Sequence, residues 1–216
     1  MFNHQYLPHQ ELNLLRQAYK KAALSHQQDN MQKIFEHIDK ICSSIPDSSQ
    51  KLAIYDELIY HATNTNMNPI VHLILKTHPA IKLSKSTLNA AAESGNLDVL
   101  YLCLEKYLIP DQFTLFRAIY GNHQEVIVLL LDKYPLLFLD QSMLFTALSL
   151  GNIAFVDWLL EAGKQVFSVD LSIVNAAKQL AWSPNFNSKL VTHLETIFDA
   201  SILSSVQSLY HANHPN

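Results

Sequence analysis

Eleven histidines, two cysteines and nineteen carboxylates are spread through the 216 residues, and each type is able to carry chemistry. Their spacing argues against it. No histidine stands in an H-E-x-x-H arrangement or beside a cysteine at zinc-ligand spacing. His211 and His214 form an H-x-x-H pair near the last residue, a position that usually frays, and read as a solvated tail. His61 and His72 fall within helical segments and read as hydrogen-bonded structural residues. Cys103, in the run LYLCLEKY, stands where a helix should bury it; an apolar setting raises a thiol pKa and leaves it unreactive. Cys42 follows Ile41 near a helix end, a place compatible with exposure, and no base is identifiable for it. Nucleophile elbows, Walker loops and glycine-rich dinucleotide loops are missing. Carboxylates such as Asp98, Glu125 and Asp157 read as solvated helix faces. We therefore expect no catalytic residue, no metal and no cofactor.

Composition narrows the partners. Lysine outnumbers arginine 13 to 2 and the net charge is −4, whereas nucleic-acid modules favour arginine and a basic face. Only four glycines are present, few for hairpins or phosphate loops. Two cysteines make no disulfide framework, so a reducing, cytosolic compartment fits. The segment Met1 to Gln10 lacks the basic start and apolar core of a signal peptide. The longest aliphatic run, Val126 to Leu131, falls far short of the roughly 20 residues a spanning helix needs. A soluble globular chain is expected, without nucleic acid or membrane.

What the chain does contain is an internal repeat. LNAAAESGNLDVLYLCLE from Leu88, LFRAIYGNHQEVIVLLLD from Leu115 and LFTALSLGNIAFVDWLLE from Leu144 align without a gap, and IYHATNTNMNPIVHLILK from Ile59 is a weaker copy. Anchor alanines at Ala62, Ala91, Ala118 and Ala147 are separated by 29, 27 and 29 residues, and Leu75, Leu104, Leu131 and Leu160 repeat the same offsets. Each copy reads as two short helices. Ile59, Leu88, Leu115 and Leu144 stand three before the anchor, on one helical face. Ser84, Asp111 and Asp140, seven before it, are cap residues that mark helix starts. Gly95-Asn96, Gly121-Asn122 and Gly151-Asn152 break the chain between the helices, with Gly expected to supply the positive φ of the terminator.

These residues resemble the ankyrin repeat. AAESGNLDVLYLCLE (Ala91 to Glu105) and GNIAFVDWLLEAG (Gly151 to Gly163) match that family's Ala-Ala-x-x-Gly-His and Leu-Leu-Leu-Glu-x-Gly signatures, and the likeness spans Leu88 to Gly163. The resemblance implies an all-α, ankyrin-like helical-repeat solenoid of five to six helix pairs. Residues 1–216 would form a single repeat domain: a divergent N-terminal cap at 1–50, repeats at 51–165, and a divergent last repeat with a capping helix at 166–216. Ala176-Ala177 would anchor a fifth pair within Asp170 to Ile197, and Asp199 to Tyr210 a terminal helix. Gln10 to Cys42 reads as a helix pair without an evident anchor. The repeats are shorter than the family's 33 residues and lack Thr-Pro-Leu-His, so short, blunt connections should replace its hairpin fingers.

The candidate site follows from the same register. Positions six before, two before and two after the anchor are i, i+4 and i+8, one stripe on each first helix. They are Asp56, Tyr60 and Asn64; Lys85, Asn89 and Glu93; Gln112, Phe116 and Tyr120; and Gln141, Phe145 and Ser149. In ankyrin proteins this side lines the concave groove that holds a protein partner. Phe116 and Phe145 can pack between neighbouring helices or meet that partner; Tyr120 reads as a contact. The resemblance thus implies a monomeric, non-catalytic protein-binding module, of a type that intracellular bacteria deliver into host cells. Two alternatives stay open: an enzyme or modifying factor with its site in the divergent ends, Met1 to Pro46 or Ser183 to Asn216, and a self-assembling structural protein.

Overall fold

The computed structural model describes residues 7–164, 166–167, 173–175 and 191–200. The expected anchor at Ala176-Ala177, most of the proposed terminal helix, and His211 and His214 lie outside these residues. Among the described residues the chain is all helical, without a strand. Ten helices follow one another: α1 (Leu7–Leu24), α2 (Gln28–Ser43), α3 (Ser48–Asn64), α4 (Asn68–Thr77), α5 (Lys85–Ser94), α6 (Leu97–Glu105), α7 (Gln112–Tyr120), α8 (Gln124–Lys133), α9 (Gln141–Ser149) and α10 (Ile153–Ala162). Residues 191–200 are also helical. The chain forms two compact units, Met1–Tyr134 and Pro135–Asn216.

In the first unit the odd-numbered helices pack in a row, α1 on α3, α3 on α5 and α5 on α7, while α2 packs on α4 and α4 on α6. The burial pattern explains this order. Ile59, Leu88 and Leu115 and their anchors Ala62, Ala91 and Ala118 are all fully buried, so small alanines let neighbouring first helices approach while the larger residues fill the space between pairs. In the second unit α9 packs on α10, with Leu144, Ala147, Phe155 and Leu159 buried. The helix starts stand where the cap residues predict. Ser84, Asp111 and Asp140 each accept from the backbone N–H three residues on, and Thr114 closes a capping box with Asp111.

Helix ends follow one rule that the Gly-Asn pairs obscure. The residue four after each anchor is left-handed: Asn66 (φ 57°), Gly95 (φ 67°), Asn122 (φ 64°) and Gly151 (φ 68°). In the first three, the next N–H returns to the anchor carbonyl, Met67 to Ala62 at 2.8 Å, Asn96 to Ala91 at 2.8 Å and His123 to Ala118 at 3.0 Å. Gly121, expected to be the terminator, is right-handed (φ −76°) because it stands three rather than four residues after its anchor Ala118; Asn122 takes its place. The same device ends α1: His26 has φ 51° and Gln27 N–H reaches Ala22 at 2.9 Å, which makes Ala22 the anchor of the first helix pair. The α4–α5 and α6–α7 connections are short and free of strand, with Ile81, Leu83 and Pro110 turned inward and Tyr107 and Ile109 outward.

Candidate functional site

On the row of first helices in the first unit, the predicted stripe divides into two kinds of residue. Its polar members tie neighbouring helices together. Lys85 donates to the Ile109 carbonyl and pairs with Asp111 at 3.2 Å. Asn89 accepts from the Thr114 hydroxyl at 2.7 Å, and Glu93 pairs with Arg117. Asp56 accepts from Thr87 at 3.4 Å in the pair before. Partial burial works against the charged form of Asp111, yet the Thr114 N–H and the Lys85 ammonium hold its carboxyl below the usual range. Gln112 is half-buried at the start of α7.

The aromatic members remain accessible. Tyr60 is half-buried and meets His61 edge-on, with centroids 5.3 Å apart. Phe116 is half-buried and stacks on Phe113 at 6.3 Å; Phe113 is 55% exposed and Tyr120 is 49% exposed. Arg117 lies between them, its guanidinium 5.9 Å from the Phe113 centroid and 5.7 Å from that of Tyr120. Phe113 and Arg117 fall outside the predicted stripe. They stand five and one before the anchor, so Phe113, Arg117 and Tyr120 form their own i, i+4, i+7 line beside it. An aromatic at Phe113 where the aligned repeats carry Ser86 and Ser142 is the signal that finds it.

In the second unit Phe145 is 38% exposed, Gln141 is half-buried, and Ser149 is exposed with its hydroxyl on the Thr146 carbonyl at 2.7 Å.

The groups that could do chemistry are built into the packing. Cys42 is fully buried, against the exposure its place near a helix end allowed, because Met31, Phe35, Ile38 and Cys42 form the inward stripe of α2. Burial raises its pKa, and raises that of Cys103 to about 12. Asp39 on α2 accepts from the Tyr55 hydroxyl and meets His78 Nε2, both at 2.6 Å, and the two rings stack 4.2 Å apart. This clamp joins α2, α3 and the end of α4; burial and the Asp39 bond push the Tyr55 phenol up, so it stays protonated. Among the described residues no three His, Cys, Asp or Glu side chains are placed to hold a metal.

Where the helix pairs meet at their turns, Asn96 is buried, accepts from the Val99 N–H at 3.2 Å and donates to Asn68 at 2.6 Å. A cavity of ≈ 380 Å³ opens beside the next turn, lined by Gly95, Asn122, His123, Gln124, Glu125 and Val126. Of its titratable groups, the half-buried His123 is held below the ordinary histidine range by desolvation. No helix among the described residues is long and apolar enough to cross a membrane. Comparisons with protein-family models, curated proteins and solved structures found no match for the chain.

Proposed function

We propose that the chain is a non-catalytic, ankyrin-like helical-repeat module that binds a protein partner through the face of its first helices. The observation that carries this reading is the line Phe113, Arg117, Tyr120 on α7. Two large aromatic side chains stand about half exposed around a guanidinium whose charge is met by Glu93. Exposed aromatics flanking a fixed arginine have the composition of interface hot spots, where a partner completes desolvation. Lys85, Asn89 and Glu93 support the face by bracing α5 against α7, which keeps these rings on rigid helices. Tyr60, Phe116 and Tyr120 are the predicted residues left to touch a partner in this unit. The test is a pull-down from cytosolic lysate with wild type and the Tyr60→Ser, Tyr120→Ser variant, each checked by thermal melt. Loss of a captured partner from an equally stable variant supports the reading; undiminished capture by that variant refutes it.

A further inference from the structure

On α1, Asn13, Arg16, Gln17 and Lys20 are spaced i, i+3, i+4 and i+7 and form one polar line. Opposite them on α3, Glu57 and His61 are spaced i, i+4. The six side chains line an open cavity of ≈ 370 Å³. The two helices are fixed beside it by the buried Tyr19, whose hydroxyl donates to the Leu58 carbonyl at 3.2 Å. Donors outnumber acceptors here. Glu57 is the only carboxylate, pairing with Arg16 through one oxygen and lying 3.9 Å from His61 Nε2 through the other. Arg16 Nε is buried and lacks a partner. Lys20 has no ion pair among the described residues, although its charge is felt at His61. The cavity thus carries a surplus positive charge in a chain of net charge −4.

Desolvation holds His61 below the ordinary histidine range, so at neutral pH it is an uncharged ring able to donate one further hydrogen bond. His61 also meets Tyr60 of the predicted aromatic stripe edge-on.

We propose that this cavity receives an acidic side chain from an extended segment of the protein partner. The inference rests on the protein-binding reading above and names the chemistry its ligand must bring. A carboxylate entering between the two helices meets the exposed Lys20 ammonium, with the exposed amides of Asn13 and Gln17 able to donate from the α1 side. Charge-assisted bonds of this kind are the stronger ones.

The probe is a short fluorescein-labelled oligoglutamate, with an oligoglutamine of equal length as the neutral control, read by anisotropy at low and high salt. Wild type should prefer oligoglutamate by about threefold to fivefold at low salt, near the upper end of what an ion pair to the exposed Lys20 is worth. Lys20→Glu should abolish the preference, and Lys76→Glu, the same charge change on the exposed part of α4, should leave it intact. Equal loss in both variants, or no preference in wild type, overturns the proposal. An oligothymidylate that binds as tightly and depends equally on Lys20 also overturns it, because the cavity would then be a general anion site. If the lysate partner is lost on the Tyr60→Ser, Tyr120→Ser substitution while oligoglutamate shows no preference, only the acidic subsite falls. If that partner is retained, the protein-binding reading falls instead.

Discussion

Gly121→Ala should destabilise the first unit although Gly121 has an ordinary right-handed backbone. A Cβ there would stand 2.0 Å from the Glu93 carbonyl oxygen and 2.8 Å from its carbon, both main-chain atoms of the neighbouring helix. Ordinary contact requires about 3.4 Å or more, so the end of α7 must withdraw from α5 by over an ångström. That movement loosens the layer in which Leu88, Ala91, Leu115 and Ala118 are fully buried, and stretches the Glu93–Arg117 pair that steadies Phe113 and Tyr120. Overpacking of a close interface costs about 1–3 kcal/mol, and with a backbone obstacle we expect the upper end. For a chain of this length about 3 kcal/mol corresponds to a fall in Tm of roughly 6–12 °C. Asn122→Gly is the matched control: it places Gly where φ is +64° and removes a buried amide oxygen without a partner, so it should be neutral or stabilise by up to about 1 kcal/mol. Urea unfolding followed by circular dichroism measures both. If Gly121→Ala lies within about 0.5 kcal/mol of wild type, close approach of α7 to α5 is not what the glycine provides.

Acid should weaken the fold through His61 and His123. Burial lowers both pKa values, so the unfolded chain takes up protons that the native one refuses; stability is constant above about pH 6.5 and falls as pH drops below it. Urea midpoints should therefore decline from pH 7.5 to about 5.5 and decline less when both residues are Gln; a midpoint that rises in acid contradicts the assignment. Asn96→Ala removes the α6 cap and the bridge to Asn68 together and should cost about 2 kcal/mol, measured by the same unfolding curves; an unchanged midpoint would show the bridge to be immaterial. Cys42 and Cys103 should resist iodoacetamide in the native protein at mildly alkaline pH and react in urea, as counted by mass; rapid native labelling of either would contradict its burial.

Helix positions were legible in the sequence because caps and buried stripes are local. Ser84, Asp111 and Asp140 start helices by bonding within one turn, and the anchor alanines are buried because their spacing repeats. The break after α7 was misplaced by one residue, since the Gly-Asn letters repeat while the backbone rule is kept by distance from Ala118. Ala22 stayed hidden because it lies 40 residues before Ala62, outside the 27–29 residue period. Burial of Cys42 was legible in the i, i+4, i+7, i+11 stripe of Met31, Phe35, Ile38 and Cys42, which its place near the end of α2 masked. The stripe residues lie on the first helices of the pairs, as their spacing predicts, but their division into bracing and exposed residues turns on partners 24 to 31 residues away, such as Ile109 for Lys85 and Thr87 for Asp56. Arg117 was missed for the same reason: its importance comes from Glu93 on another helix and from rings on either side.

Site-specific photocrosslinking tests the central claim most directly. A benzophenone side chain is placed at Tyr120 on α7 or at Val128 on α8, two exposed positions on the first and second helices of one pair. Irradiation in cytosolic lysate should give a discrete protein adduct from position 120 and none from position 128. An adduct from position 128 alone, or none from either, would contradict binding through the first-helix face.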